Sequence, residues 1–247
     1  MKLSIVIPVL NSHEIVKRQN LHFGRMNVDV EILFIDDGSE PPIDSPYVAH
    51  RTNDYRPWTW ALARNKGAKI AKGQYLLMFD LDYIITEDVI RDCLEFNKDY
   101  RGFKRQFGCL DENGNLVQTV DELVKWGWPK ERYAERGFDL PPHPNNFLIR
   151  KEKFFEMGMF REDLVERPYP QGEDRHFKKT RMRWEKEGRL ECDWESRPTL
   201  YMFPNGQFCG DVDYNPFGMF HDLSRKTDNN YWFKKQNERS VSHNSGA

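Results

Sequence analysis

Two carboxylates stand one residue apart at the end of an apolar run, in residues 74–82, Gln-Tyr-Leu-Leu-Met-Phe-Asp-Leu-Asp. Side chains i and i+2 of an extended chain point the same way. Asp80 and Asp82 can therefore meet one hard divalent cation, Mg²⁺ or Mn²⁺, which prefers oxygen ligands and commonly bridges a diphosphate. The competing reading is a polar strand end that leads into a helix cap. A second pair, Asp36-Asp37, closes the apolar run at 30–35 and precedes Gly38-Ser39. A carboxylate here can accept hydrogen bonds from a nucleobase imide or from ribose hydroxyls, or it can simply belong to an Asp-Gly turn. The third pair, Glu173-Asp174, follows Gln171-Gly172 and opens a helical run that reaches Glu187. A helix N-terminus favours ionised carboxylates, yet ordinary first-turn chemistry puts acids there as well.

Single charged residues add to these pairs. Arg64 lies within 61–72, where Ala, Leu and Ile recur at helical spacing. If the start of that helix faces the strand ends, Arg64 can grip a phosphate bidentately; otherwise it is a solvated arginine. His221, in Phe-Gly-Met-Phe-His-Asp, is a lone histidine, a residue more often structural than metal-binding. The run 176–184, His-Phe-Lys-Lys-Thr-Arg-Met-Arg-Trp, interleaves aromatics with cations, which permits nucleic-acid binding and also fits a solvated helix face.

The elements that must hold these groups follow from the pattern. Residues 3–10 form a β-branched run broken by Pro8 and closed at Asn11-Ser12, with a helix expected from Ser12 as its cap. Strands at 30–35 and 74–82 are apolar on both faces, as parallel-sheet strands are, and ligands of open α/β sheets sit beyond the carboxyl ends of such strands. A short strand at 47–50, an aromatic and charged binding loop at 53–60, and Gly73 as the C-cap of helix 61–72 complete this half. Further on, 86–96 has a capped amphipathic helical pattern, and 104–110 and 116–120 flank a turn at 111–115 as a hairpin.

The 247 residues suit one α/β domain without repeats or a linker. A formal charge of -2 argues against general affinity for nucleic acid. The four cysteines, Cys93, Cys109, Cys192 and Cys209, form no CxxC, so reduced thiols are expected and neither a zinc site nor a redox pair is indicated. No apolar run reaches the length of a membrane span, and the N-terminal run is too short for a signal peptide, so a cytoplasmic protein is expected.

Four fragments in order resemble the family-2-like, nucleotide-sugar-dependent glycosyltransferases of the GT-A fold. They are residues 4–11, Ser-Ile-Val-Ile-Pro-Val-Leu-Asn; 34–39, Phe-Ile-Asp-Asp-Gly-Ser; 63–67, Ala-Arg-Asn-Lys-Gly; and 71–75, Ala-Lys-Gly-Gln-Tyr, leading into Asp80-Leu-Asp82. The resemblance is clear over residues 3–90 and patchy beyond. It implies a Rossmann-like, mostly parallel central sheet flanked by helices, with a C-terminal acceptor-side segment. Residues 1–100 become the nucleotide-sugar half, 101–223 the acceptor and catalytic half, and 224–247 a terminal helix and tail. By resemblance, Pro8, Val9, Asn11, Asp36, Asp37, Arg64, Asp80 and Leu81 lie along the nucleotide sugar, with Asp37 on the base. Asp80, Asp82 and His221 would hold Mn²⁺ or Mg²⁺, Asp174 would be the general base, and Glu173 would bind the acceptor. The Trp- and Pro-rich stretch 124–144, with Trp126 and Trp128, reads as an acceptor-side insertion, and 145–155 resembles the strand and helix before the acceptor site.

The expected activity is metal-dependent, inverting transfer of a sugar from a nucleoside diphosphate, UDP favoured, to a hydroxyl. The acceptor stays open among glycan, lipid, protein, small metabolite and hydroxylated nucleobase. Two alternatives stand beside it. A sugar-phosphate nucleotidyltransferase also needs paired metal carboxylates but calls for a Gly-rich, basic first loop, where this chain has Pro-Val-Leu-Asn. A non-catalytic nucleotide-sugar-binding module could keep the fold without the chemistry.

Overall fold

The structure, a computed structural model, describes residues 1–39, 41–52, 54, 59–126, 137–140, 144–166 and 173–204. In chain order the strands are β1 (Leu3–Val9), β2 (Glu31–Asp36), β3 (Val48–Arg51), β4 (Tyr75–Met78), β5 (Tyr83–Ile84), β6 (Tyr100–Gly102), β7 (Lys104–Phe107), β8 (Cys109–Leu110), β9 (Leu116–Val117), β10 (Asp139–Leu140), β11 (Phe147–Arg150), β12 (Cys192–Asp193) and β13 (Thr199–Met202). The helices are α1 (His13–Phe23), α2 (Trp60–Ile70), α3 (Glu87–Glu95), α4 (Val120–Lys125), α5 (Lys151–Glu156) and α6 (Glu173–Lys186).

The central sheet runs β12-β6-β11-β4-β1-β2-β3. β4, β1, β2 and β3 are parallel, and β11 alone runs against its neighbours β4 and β6. This is the mostly parallel α/β sheet that the apolar runs predict. β1 is buried along its whole length because both of its faces are covered. Leu3, Ile5, Ile7 and Val9 join one core with α1, α3 and Leu77, while Val6 joins the other with α2, Leu76 and Met78. A second sheet, β10-β7-β13-β5, continues from the segment after β4. The expected hairpin is shortened to β8 against β9, with Asp111 accepting from the N–H groups of Asn113 and Asn115, while residues 104–107 pair in the second sheet as β7 and Val120 opens α4.

Close packing of α2 on the sheet depends on missing side chains. At Gly67 a Cβ would run into Val6 Cγ1 of β1. Gly73, expected to end α2, does something else: the helix ends at Ile70 with Ala71 as its cap, and a Cβ at Gly73 would lie 2.5 Å from the Ser4 nitrogen. Its N–H donates to Ser4 Oγ at 2.8 Å, so this glycine lets β4 enter beside β1. Ser12 departs from its expected role as well. It occupies the cap position in a left-handed conformation: its carbonyl accepts the Val16 N–H at 3.0 Å, but its hydroxyl makes no capping bond and donates to Leu10 O at 3.1 Å. Trp126, read as part of an acceptor-side insertion, is a core residue 4.5 Å from Phe203, ring to ring.

Three described cysteines, Cys93, Cys109 and Cys192, are free thiols. Among the described residues no helix is long and apolar enough to cross a membrane. His221, Cys209, Trp128, Gln171, Gly172 and the expected terminal helix after Ser224 lie outside the described residues.

Candidate active site

Parallel strands end at the same edge, so β1, β2 and β4 deliver Asn11, Asp36-Asp37 and Asp80 to one side of the sheet. Register fixes this: Val9 lies opposite Asp36, and Val6 opposite Met78. Pro8 is tolerated between them because β4 ends at Met78, so on that side the ring, with no N–H, interrupts no pairing. Beyond Val9 the chain turns through two successive left-handed residues, Asn11 and Ser12, both at φ 53°. Backbone strain of this kind collects at functional sites. It is held by Ser39, whose Oγ accepts the Asn11 N–H at 2.7 Å.

The two aspartates after β2 divide their work. Asp36 accepts from the backbone N–H of Ser39 at 2.9 Å and of Ile43 at 3.2 Å, and lies 3.7 Å from Arg51. Its carboxylate shapes the loop after β2. Asp37 is gripped from the next elements, by Thr52 Oγ1 at 3.1 Å and by Thr59 Oγ1 at 2.5 Å. Thr59 precedes α2, so the start of this helix does face the strand ends, as the placement of Arg64 requires.

Arg64 links the segment after β4 to the start of α6. Its guanidinium is buried, pairs with Asp80 Oδ1, and reaches Glu173 Oε1 at 3.5 Å. Burial works against its charge, but Asp80, Glu173 and Asp174 outweigh that and raise its pKa. The guanidinium is therefore occupied by carboxylates in this state, where a bidentate phosphate contact is the sequence expectation. The residues around it explain its position. Arg64 lies over the Phe160 ring at 5.5 Å, and Asn65 binds the Phe160 backbone on both sides, donating to its carbonyl at 2.8 Å and accepting its N–H at 3.1 Å. Opposite, α6 is docked by Phe177 stacked on Phe147 of β11 at 4.9 Å. The Glu173 and Asp174 end of α6 is thus carried to the edge where β4 ends.

Asp80 and Asp82 differ from the extended pair that their spacing suggests. β4 stops at Met78, and Tyr83 N–H bonds Asp80 O at 3.0 Å, so the two aspartates occupy a turn. Three residues that pattern reading passed over hold that turn. Asn146 accepts the Asp80 N–H at 2.8 Å and donates to Asp80 Oδ2 at 3.2 Å. Gln19, buried on α1, donates to the carbonyls of Leu81 at 3.2 Å and Tyr83 at 2.5 Å. Arg105 is buried against the Tyr83 hydroxyl and lends positive charge to Asp82. The polar pair Asn145-Asn146 just before a buried strand was the visible signal for the first. A polar residue inside a helical apolar pattern marked Gln19, and a basic residue at an inward strand position marked Arg105.

Asp82 is half-buried, and among the described residues its carboxylate takes no ion pair or side-chain hydrogen bond. Withdrawal from water, and then the neighbouring Asp80, push its pKa up to about 8. An open carboxylate beside an anchored one is a donor set that suits a hard divalent cation. Among the described residues no group of three or more His, Cys, Asp or Glu is clustered for a metal, so a third protein ligand would come from elsewhere. Leu81 itself is buried and contributes its carbonyl to Gln19.

Residues 4–159 match the family described as Glycosyl transferase family 2. A poly(ribitol-phosphate) beta-glucosyltransferase of Bacillus spizizenii is 25% identical over 185 residues, which make up 68% of this chain and 27% of that protein. The chain thus spans about a quarter of the length of that curated relative. Among solved structures, residues 1–349 of S. aureus TarS align at 17% identity with a TM-score of 0.47, over 73% of this chain and 55% of that one. The same protein with UDP-GlcNAc aligns at 17% identity with a TM-score of 0.43, over 71% and 53%. With strand ends, paired aspartates and the arginine helix all inside the matched span, the chain belongs to glycosyl transferase family 2.

Proposed function

We propose that this protein is a metal-dependent, inverting glycosyltransferase that moves a sugar from a nucleoside diphosphate to an acceptor hydroxyl. The observation that carries this reading is Arg64, which brings the Asp80 turn and the Glu173-Asp174 end of α6 to one place. A donor-side carboxylate pair and an acceptor-side pair around one cation are what such a reaction needs, and family membership agrees. UDP is the favoured nucleotide, because a fixed carboxylate such as Asp37 can accept the imide N–H of uracil.

In this reading Asp80 and Asp82 hold Mn²⁺ or Mg²⁺, with His221 as the candidate third ligand. When bound, the cation supplies charge that stabilises a diphosphate leaving group. Pro8, Val9 and Asn11 line the nucleotide beside it. Asp174 takes the acceptor proton as the acceptor oxygen bonds to the anomeric carbon, and the breaking bond leaves its electron pair on the diphosphate oxygen. Attack opposite the leaving group inverts that carbon. Glu173 orients the acceptor, while Arg64 holds Glu173 and Asp80 at a fixed separation. The acceptor is a hydroxyl of a glycan, lipid, protein or hydroxylated nucleobase, or of a polymer such as the relative's name describes.

A panel of nucleotide sugars scored for Mn²⁺-dependent hydrolysis tests the proposal. One donor should be cleaved only with metal, and Asp82→Ala should abolish the cleavage. Metal-independent hydrolysis, or none with any donor, contradicts it.

A further inference from the structure

The helix that begins with the candidate base carries a strong charge asymmetry. Phe177, Arg181 and Trp184 of α6 face the core. On the opposite face Arg175, Lys178, Lys179, Met182, Arg183 and Lys186 are all exposed. Their spacing of i, i+3, i+4, i+7, i+8 and i+11 places them on one continuous helical stripe. Five of the six are cations, in a chain whose formal charge is -2. Surface cations on helices are commonly paired one turn away. Here only Arg183 has such a partner, Glu187 at 3.9 Å, and Arg175, Lys178, Lys179 and Lys186 have no ion-pair partner among the described residues.

We infer that this stripe is a docking surface for a polyanionic acceptor chain of phosphodiester-linked polyols, which it feeds toward Asp174. The inference rests on the transferase reading and names the acceptor class for it. Arg175 is adjacent to Asp174, so a polymer bound along the stripe presents its hydroxyls at the end of the helix where the base stands. Helical rise of about 1.5 Å per residue spaces successive cations by one turn, about 5 Å, close enough to follow a chain of phosphates. Single-stranded nucleic acid is the less suitable polyanion. Proteins that hold single strands add exposed aromatic rings on which bases stack. The stripe offers none: Phe177 and Trp184 are buried, and its one apolar member is Met182. Cations without stacking surface fit a polymer that has phosphates and hydroxyls but no bases.

The test uses the full chain and a fluorescein-labelled poly(glycerol phosphate) oligomer, with oligothymidylate, duplex DNA and neutral dextran as comparison arms. Wild type should bind the oligomer in a salt-dependent manner and ignore dextran. The triple variant Lys178→Gln/Lys179→Gln/Lys186→Gln should bind about tenfold more weakly at low salt, with a shallower salt slope, because fewer counterions are released. Its melting temperature and its Mn²⁺-dependent donor hydrolysis should equal those of wild type. Unchanged oligomer affinity in the variant overturns the inference, as does tighter binding of oligothymidylate or duplex DNA than of the oligomer. The two readings fail separately. Stripe-dependent binding without any donor hydrolysis sinks the transferase and supports the docking surface, while hydrolysis with stripe-independent binding sinks the docking surface alone.

Discussion

Arg64 and Glu173 are 109 positions apart in the chain and meet at 3.5 Å, with Asp80 on the other side of the same guanidinium. One buried cation thereby joins the turn that carries Asp80 and Asp82 to the helix that opens with Glu173-Asp174. Removing it leaves two carboxylates facing each other without compensation. Arg64→Ala should destabilise the fold by about 3 kcal/mol, the scale for breaking a buried ion pair. Arg64→Lys should recover only part of this, because one ammonium cannot serve two carboxylates as a planar fork can. Urea unfolding of the three proteins checks both. A lysine variant as stable as wild type would remove the bridging role.

Asn146 fixes Asp80 through both its backbone and its carboxylate. Groups that orient a metal ligand typically affect affinity by about 10- to 100-fold when lost. Asn146→Ala should therefore weaken Mn²⁺ binding in the presence of nucleoside diphosphate by about tenfold, at an unchanged circular dichroism spectrum. Equal affinity would make Asn146 a structural residue only.

The chain reads differently in its two kinds of positions. β1, β2, β4 and α2 are legible because continuous burial and helical spacing leave little choice of element, and the carboxylates at their ends stand out against apolar runs. Asn146, Gln19 and Arg105 stand out only as polar residues in apolar surroundings, and their partners are not legible, since each acts through contacts across long stretches of chain; Gln19 reaches Leu81 and Tyr83 from α1. Spacing also misleads where it assumes regular backbone. Asp80 and Asp82 share a turn, not a strand, and Ser12 sits in a strained left-handed conformation that no capping pattern encodes.

Asp82 predicts an unusual stability profile. Its pKa is raised from 3.8 to about 8, so the unfolded chain loses this proton at lower pH than the folded one. Its contribution to stability is complete below about pH 4 and declines as pH rises toward about 8, the reverse of an ordinary salt-bridged aspartate. In metal-free protein Asp82→Asn should therefore flatten the fall in melting temperature across that window and raise stability at pH 7. Mn²⁺ should stabilise wild type at pH 7 and leave the variant unchanged. Melting curves at several pH values decide this, and parallel profiles for the two proteins would refute it.

Gly67 tests whether packing of α2 on β1 sets the position of Arg64. Gly67→Ala puts a methyl group into Val6 Cγ1. Overpacking of this kind costs about 1–3 kcal/mol. Adding Val6→Ala should return part of that stability by opening the space, and donor hydrolysis should recover with it. Additive losses in the double variant would show that the two residues do not share the contact.

The central claim is that Asp174 works as the base in a site assembled by Arg64. Its most direct test is nucleotide-sugar turnover and nucleoside diphosphate binding by Asp174→Asn, measured with Mn²⁺ on the same samples. A general base supplies about 10²- to 10⁴-fold, so turnover should fall by that factor while Mn²⁺-dependent diphosphate affinity stays within about twofold of wild type. Turnover at the wild-type rate would contradict the account.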